Sequence, residues 1–200
     1  MLDEMYPPSY TFNERFVIES NMIDPQPGYN GNSPGDLMYD NHLSALELVL
    51  SNDWNLELTS PLDIHRVLTK GIPFFEDYGM SGKYRDVDCW IGNSICPKPF
   101  MIPNFMMQWY EKTMGLIEEG EKSPTEIAWI SHHMFEVVHP FIDGNGRTGR
   151  LIFNKILTQL GQEPRIIFYD DRFQYYEAIS DFRAEYFNGQ GFMFCNGVLI

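Results

Sequence analysis

Positive charge is scarce in this chain. Its 200 residues include 14 Lys and Arg against 28 Asp and Glu, which gives a formal net charge of −14 at pH 7. A surface with this excess of acids repels the phosphates of nucleic acids. We therefore expect no nucleic-acid partner, and a site for a phosphate ligand must depend on a few arginines that the fold brings together.

Cysteines and long apolar runs are also few. The three cysteines, Cys89, Cys96 and Cys195, contain no C-x-x-C pair, and a disulfide scaffold needs more of them, so we expect reduced thiols. No run approaches the roughly 20 apolar residues of a membrane span, and the first residues lack the basic start and apolar stretch of a signal peptide. The sequence predicts a cytoplasmic protein without membrane contact, and it leaves open export by a route that uses no cleaved signal.

Length and composition predict one folded domain, because 44% of the residues are hydrophobic and 21% are charged. Residues 1–34 are rich in proline and glycine and contain one helix-compatible stretch at about 11–22. We expect this N-terminal segment to dock on a domain formed by residues 35–200. Residues 83–103 predict a short hairpin or extended flap. Apolar residues recur at helical spacing in segments 37–50, 104–119, 124–138, 151–160 and 172–186.

The segment 139–150 differs in composition from the rest of the chain. It lies between two apolar helical stretches and reads His-Pro-Phe-Ile-Asp-Gly-Asn-Gly-Arg-Thr-Gly-Arg. Residues 144–146 can adopt the left-handed conformations that aim successive backbone N–H groups at one anion, and a helix N-terminus follows directly. Arginines in the first turn of a helix oppose its dipole, so Arg147 and Arg150 favour a bound polyphosphate.

Two further side chains of this segment fit nucleotide chemistry. Asp143 suits Mg²⁺ held by one protein oxygen, phosphate oxygens and water, and His139 can accept a proton from a hydroxyl near neutral pH. Each residue alone is equally typical of a glycine-rich helix connection, but their combination favours a nucleotide site. Residues 144–149 also match G-x-G-x-x-G, yet a dinucleotide-binding domain requires a preceding strand, and the preceding segment is predicted to be helical.

The same segment resembles the signature of the Fic family, H-P-F-x-[D/E]-G-N-G-R-x-x-R, at every specified position. Residues 64–68 resemble the family's helix before the flap and residues 82–92 its flap, so the resemblance covers most of the chain. It implies a mostly α Fic fold, a helical bundle around a central helix-loop-helix active site with a short β-hairpin flap. It also implies a protein adenylyltransferase, which uses Mg²⁺ and transfers AMP from ATP to a Ser, Thr or Tyr hydroxyl of a target protein.

The resemblance assigns roles within the signature. His139 is the general base that removes the proton of the target hydroxyl, and Asp143 holds Mg²⁺ between the α- and β-phosphates. The ATP phosphates are assigned to the glycine-rich turn and the first helical turn, namely Gly144, Asn145, Gly146, Arg147, Thr148, Gly149 and Arg150.

Residues outside the signature receive roles in the same way. Tyr175 and Tyr176 resemble a tyrosine pair that lines the family's adenosine pocket. The family often has an Asn one or two helical turns further on, where this chain has Phe182 and Arg183. The flap residues that would dock the target and cover the nucleotide are Trp90, Ile91, Gly92 and Asn93.

The N-terminal helical stretch resembles an inhibitory element of many Fic proteins. That element carries [S/T]-x-x-x-E-[G/N], and its Glu pairs with the second arginine of the signature. Glu19 follows Ile18 in the N-terminal stretch, with Arg15 in the position of the Ser or Thr and Ser20 in that of the Gly or Asn. We therefore expect an inhibitory pair between Glu19 and Arg150.

The sequence does not exclude several other functions. A Fic-like enzyme could transfer another nucleotide or remove AMP, because the loop recognises phosphates rather than the base. A catalytically silent scaffold would keep the fold and bind targets through the flap. The oligomeric state is also open, a homo-oligomer included.

Overall fold

The computed structural model describes residues 9–25, 31–92, 94–187, 194–195 and 198–199. The helices in these residues are α1 (Phe12–Ile23), α2 (Leu37–Leu50), α3 (Ser60–Thr69), α4 (Pro73–Asp77), α5 (Ile102–Glu119), α6 (Pro124–Val138), α7 (Asn145–Gln159) and α8 (Arg172–Tyr186). The strands are β1 (Trp90–Ile91), β2 (Ser94–Ile95), β3 (Phe194–Cys195) and β4 (Val198–Leu199). The predicted mostly helical fold with a short hairpin is confirmed. Within the described ranges, no helix combines the length and the apolar composition needed to cross a membrane.

Helices α6 and α7 form the centre of the molecule. A capping box starts α6, since the Ser123 hydroxyl accepts the Glu126 N–H and the Glu126 carboxylate accepts the Ser123 N–H. Large apolar side chains of both helices are buried, among them Phe135 and Leu151, and each such side chain stabilises the fold by about 1.5–3 kcal/mol. Helices α2, α3, α5 and α8 pack around this pair. The loop that joins α6 to α7 is therefore held between two fixed elements.

Helix α1 docks the N-terminal segment on the same core. A capping box between Thr11 and Glu14 starts the helix, and the buried Phe16 ring meets the ring of His42 edge to face at 5.6 Å. α1 packs against α2 and α7. This packing brings the end of α1 to the start of α7, while the predicted domain border at residue 34 stays a prediction.

Strands β1 and β2 form the predicted hairpin, in a register that places Trp90 opposite Ile95. Gly92 in the turn has a φ of +55°, which glycine adopts without strain. Asn93, the fourth predicted flap residue, lies outside the described residues. Trp90 is 62% exposed and Ile95 48% exposed, so the hairpin projects from the body and is here called the flap.

Candidate active site

The loop between α6 and α7 begins and ends at residues with left-handed backbones. His139 ends α6 with φ +50° and ψ +61°, and it is the only non-glycine residue with positive φ in the described part of the chain. Gly144 begins α7 with φ +80°. The left-handed conformation costs a non-glycine residue roughly 1–2 kcal/mol, so neighbouring contacts must hold His139. Arg85 supplies two of them, because its Nε donates to the His139 carbonyl at 2.8 Å and its backbone N–H donates to the Pro140 carbonyl at 2.9 Å.

Asn145 and His65 fix the course of this loop. Asn145 Oδ1 accepts the Phe141 N–H and Asn145 Nδ2 donates to the Phe141 carbonyl, both at 2.9 Å. His65 stacks on the Phe141 ring at 3.9 Å. His65 Nδ1 accepts the Gly82 N–H at 3.0 Å, so the ring proton lies on Nε2, which donates to the Asp143 carbonyl at 3.0 Å. The side chain of Asn145 is thus used within the loop, and its backbone N–H is its contribution to an anion site.

Arg150 is the charged centre of the site, and its side chain is completely buried. Its Nε donates to Ser20 Oγ and its Nη2 to the Ser20 carbonyl, both at 2.8 Å. Nη2 also donates to Asp24 Oδ2 at 2.9 Å, and Nη1 donates to the Tyr175 hydroxyl at 3.3 Å. The end of α1 and helix α8 therefore meet at this guanidinium, and Asp24 supplies its carboxylate partner.

The acid paired with Arg150 is not the predicted one. Glu19 is buried, and its Oε2 accepts the Tyr169 N–H at 2.6 Å, whereas the carboxylate that pairs with Arg150 is that of Asp24; the expected Glu19–Arg150 pair stays a prediction. Asp24 directly follows the last residue of α1, and its backbone is no longer helical, with φ −123° and ψ 76°. The signal in the sequence is Ser20-x-x-x-Asp24, which has the Ser-to-acid spacing of the inhibitory element with Asp in place of Glu.

The Asp24 carboxylate lies against the N-terminus of α7. A Cβ on Gly146 would lie 2.0 Å from Asp24 Oδ2 and 2.8 Å from Arg150 Nη1, so only glycine leaves room for this approach. Free N–H groups and the helix dipole favour an anion at this end of a helix. The Asp24 carboxylate therefore lies at the helix end where the sequence predicts a bound phosphate.

The other residues that the sequence predicts to bind phosphate fall into two groups. Arg147 is buried and lies 3.5 Å from the Asp143 carboxylate, whose Oδ1 accepts the Gly144 N–H at 2.5 Å. These three residues lie together at the start of α7. Thr148 and Gly149 turn into the interior, where Thr148 is completely buried and Gly149 packs on α6.

Glu136 is a candidate residue that the sequence reasoning missed. It is buried on α6, one turn before His139, and a Cβ on Gly149 would lie 2.5 Å from its Oε1. That oxygen has no hydrogen-bond partner among the described residues. Burial, reinforced by the negative charge of Asp24, raises the pKa of Glu136 to about 8, so the carboxyl is mostly protonated at pH 7. An acid within an otherwise apolar helical stretch was the available signal.

A cavity of about 600 Å³ lies between the loop, α8 and the flap, within the size range of small-molecule sites. Arg183 lines it in the region where the family often has Asn, and Glu136 and Asp24 also lie in its wall. Trp90, exposed on the flap, is not among the lining residues. The predicted site residues in the wall are His139, Gly146, Tyr175, Tyr176, Ile91 and Gly92.

The two tyrosines join the cavity wall to α1. The buried Tyr175 hydroxyl lies 2.9 Å from His132 Nε2 and accepts from Arg150. The Tyr176 hydroxyl donates to the Ile23 carbonyl at 2.7 Å, and burial with the nearby acid raises its pKa to about 12. The Tyr175 hydroxyl thus joins α8 to α6 and α7, and the Tyr176 hydroxyl joins α8 to the end of α1.

His139 is neutral at pH 7. Burial lowers its pKa to about 4, and the positive charge of Arg85 acts in the same direction. A neutral imidazole that lines the cavity can accept a proton from a hydroxyl that enters it.

Asp143 is the acid that could bind a metal in this loop, and its side chain is 40% exposed. The described ranges contain no group of three or more His, Cys, Asp or Glu that could hold a metal ion. Mg²⁺ keeps several waters and takes one or two carboxylates together with substrate phosphates. Asp143 therefore fits a Mg²⁺ ion that enters with a nucleotide.

All five histidines of the chain have lowered pKa values, chiefly because they are buried. The pKa is about 3 for His65, about 4 for His133 and His139, and well below its usual value for His42 and His132. Between pH 4 and 6.5 the unfolded chain binds more protons than the folded chain, so the free energy of unfolding falls as the pH falls. Each histidine contributes up to about 1.4 kcal/mol per pH unit. We expect the urea midpoint to fall steeply between pH 6.5 and 5.

Glu136 acts in the opposite sense, because its raised pKa lets the folded chain keep an extra proton between pH 4.5 and 8. One carboxyl cannot cancel five imidazoles, so the net slope keeps its sign. As a matched control, His133→Gln should reduce the slope by the contribution of one histidine. A urea midpoint that stays constant from pH 7 to 5 would contradict the assignment of neutral histidines.

The fold and the loop define a helical protein in which a glycine-rich loop precedes a central helix, with a neutral histidine and a hairpin flap in the wall of the adjoining cavity. The profile of the Fic/DOC family matches residues 55–157, which is more than half of the chain. The chain belongs to the Fic/DOC family.

Two relatives by sequence are named protein adenylyltransferase Fic. The protein from Drosophila grimshawi is 31% identical over 124 residues, which cover 62% of this chain and 25% of that protein. The protein from Nematostella vectensis is 35% identical over 100 residues, which cover 50% of this chain and 23% of that protein. The matched part of the chain thus spans about a quarter of the length of these relatives.

Solved structures share the fold. A Fic-domain signalling protein from Bacteroides thetaiotaomicron superposes with a TM-score of 0.71 at 22% identity, over 87% of this chain and 73% of that chain. Fic-1 from C. elegans superposes with a TM-score of 0.64 at 21% identity, over 84% of this chain and 54% of that chain.

Proposed function

We propose that this chain is a protein adenylyltransferase, which transfers AMP from ATP to a Ser, Thr or Tyr hydroxyl of a target protein. The names of the relatives support this activity. The observation that carries it is the neutral His139 in the wall of a cavity of about 600 Å³ that is also lined by Gly146 in the first turn of α7 and by Asp24, the partner of the buried Arg150. Such a site places a proton acceptor beside a site for phosphates.

The reaction follows from this placement. His139 takes the proton of the target hydroxyl, and the freed oxygen attacks the α-phosphorus of ATP. The bond from the α-phosphorus to the bridging oxygen breaks, and pyrophosphate leaves. The N–H groups of residues 145 and 146 and the guanidinium groups of Arg147 and Arg150 would stabilise the charge that develops. Catalysis is therefore positioning and charge stabilisation around one proton transfer.

Asp143 would hold Mg²⁺ in this proposal, with ATP phosphates and water as the other ligands. When bound, the ion neutralises phosphate charge and orients the leaving group. The Gly144 N–H and Arg147 hold the Asp143 carboxylate at the start of α7. Tyr175 and Tyr176 would line the adenosine pocket, with Arg183 in place of the Asn that many relatives have.

The flap would dock the target protein. Trp90 and Ile95 expose apolar surface there, and extended peptides commonly bind to the edges of exposed strands. Arg85 ties the base of the flap to the active site, because it donates to the carbonyls of Val87, Pro97 and His139. A target on the flap would thus lie in fixed relation to the general base.

We also propose that the chain restrains itself through Asp24. Its carboxylate lies at the phosphate position and pairs with Arg150, so it competes with a phosphate group of ATP for the same guanidinium. A cytoplasmic location, the lack of a nucleic-acid partner and the oligomeric state stay predictions.

The activity is tested with the whole chain and labelled ATP, GTP, CTP or UTP in the presence of Mg²⁺. We expect ATP to add the mass of one AMP residue to the chain itself or to a target in a cell extract. EDTA should abolish the transfer and excess Mg²⁺ should restore it. Transfer from GTP, CTP or UTP but not from ATP would contradict adenine as the nucleobase. Nucleotide binding without transfer would indicate a catalytically silent scaffold.

A further inference from the structure

Two cysteines face each other across the base of the flap. Cys89 directly precedes β1 and Cys96 directly follows β2. The register that pairs Trp90 with Ile95 continues to them, since the Cys96 N–H donates to the Cys89 carbonyl at 3.0 Å. Directly opposed residues of an antiparallel pair present their side chains on the same face. Both side chains are free thiols.

The spacing of such a pair suits a disulfide. Opposed residues of a hydrogen-bonded antiparallel pair have Cα atoms about 5.5 Å apart, and disulfides join Cα atoms about 4.4–6.8 Å apart. The backbone bond from Cys96 to Cys89 holds the two residues directly opposite each other. The two sulfurs therefore need little backbone movement to bond.

The surroundings activate one member of the pair. Interaction with the Cys89 thiol, together with the positive charges of Arg183 and Arg85, lowers the pKa of Cys96 to about 7. The pKa of Cys89 is raised, chiefly by the same interaction. Cys96 also lines a cavity of about 310 Å³ next to Arg183. A thiolate is the nucleophile in thiol oxidation, and the opposing Cys89 lies on the same face of the hairpin.

We propose that Cys89 and Cys96 form a reversible disulfide that closes the base of the flap, with a peroxide as the oxidant. The Cys96 thiolate attacks one peroxide oxygen, so that an S–O bond forms, the O–O bond breaks and the second oxygen leaves as water after protonation. Cys89 then attacks the sulfenic sulfur, an S–S bond forms and a second water leaves. In total, two thiols lose two hydrogens and hydrogen peroxide becomes two waters.

The disulfide acts on a segment that has few other constraints. The two strands of the flap contain two residues each, and a two-stranded hairpin alone is marginally stable. A covalent bond at its base removes open conformations of the flap. Because Ile91 and Gly92 line the large cavity, oxidation also controls access to it. That last consequence rests on the proposed function, whereas the bond itself does not.

Mass spectrometry of the whole chain tests the bond. After reduction and treatment with hydrogen peroxide, the chain should lose the mass of two hydrogens, peptide mapping should join Cys89 to Cys96, and dithiothreitol should reverse both changes. Cys195→Ser should behave in the same way as the unchanged chain. Cys89→Ser and Cys96→Ser should not lose two hydrogens. Overoxidation of Cys96 without a link, or a link that involves Cys195, would overturn the proposal.

Amide hydrogen exchange tests the effect on the flap. In the oxidised chain, the amides between the two cysteines should exchange about tenfold or more slowly than in the reduced chain, because opening of the hairpin is restricted. The double variant Cys89→Ser/Cys96→Ser should show the same exchange with and without peroxide. A disulfide that forms without a change in exchange would refute control of the flap. Neither readout depends on nucleotide transfer, so failure here is distinguishable from failure of the proposed activity.

Discussion

Replacement of His139 by alanine lowers the rate of AMP transfer by about 10²–10⁴-fold, the usual contribution of a positioned general base. The imidazole is neutral at pH 7 because burial and Arg85 lower its pKa to about 4. Alanine has no atom that can take the proton of the target hydroxyl. The initial rate of transfer from labelled ATP measures the loss.

The backbone at this position requires a second variant. His139 has a φ of +50°, a conformation that Asn tolerates better than Ala does. His139→Asn should therefore keep the loop and still lack an effective base, with the same loss of rate. ATP binding should persist in both variants, because in the proposed function the phosphates would contact the start of α7. A rate that stays within twofold of the original would contradict the assignment of His139 as the general base. A loss of ATP binding equal to the loss of rate would contradict it as well.

The central loop was predictable from sequence because its interactions are local. Gly144 follows the loop and starts α7, and Asn145 bonds back to Phe141 only four residues away. Glycine at a left-handed position and a helix N-terminus are features of a short segment. The same holds for the capping box that begins α6 at Ser123. Each of these features depends on residues that are neighbours in the sequence.

The partners of the loop were not predictable in this way. His65 reaches Asp143 across 78 positions, and Asp24 reaches Arg150 across 126. The acid that meets Arg150 depends on how α1 docks through the buried Phe16 and on the direction of the chain after α1 ends at Ile23. A sequence pattern gives the face of a helix but not the element that it meets.

Burial determines two protonation states that could not be predicted from the sequence. Nothing in the residue types near Glu136 shows that its carboxyl would be almost fully enclosed and protonated near neutral pH. The opposite shift of His139 has the same cause, since desolvation favours the neutral form of both groups. These protonation states follow from three-dimensional packing alone.

Substitution of Asp24 by asparagine should raise both ATP affinity and AMP transfer. Asn keeps the size of the side chain but removes the charge that pairs with Arg150 at 2.9 Å. A phosphate then meets the guanidinium and the N-terminus of α7 without a competing carboxylate. A hydrogen bond to a charged group contributes about 1.5–3 kcal/mol, and each step of about 1.4 kcal/mol is a factor of ten in affinity, so ATP affinity should rise by about 10–100-fold, which titration with ATP measures. Glu19→Gln is the matched control on the same helix, because its contact is the Tyr169 N–H and not Arg150.

Thermal unfolding separates this competition from a simple loss of stability. Without nucleotide, Asp24→Asn should unfold at a lower temperature than the unchanged chain, since the buried Arg150 loses its anionic partner. With Mg²⁺ and ATP, the variant should gain more thermal stability than the unchanged chain, because a ligand that binds the folded state more tightly stabilises it more. If Asp24→Asn lowers stability in both conditions by the same amount and leaves transfer unchanged, the carboxylate is a structural partner of Arg150 and does not restrain the site.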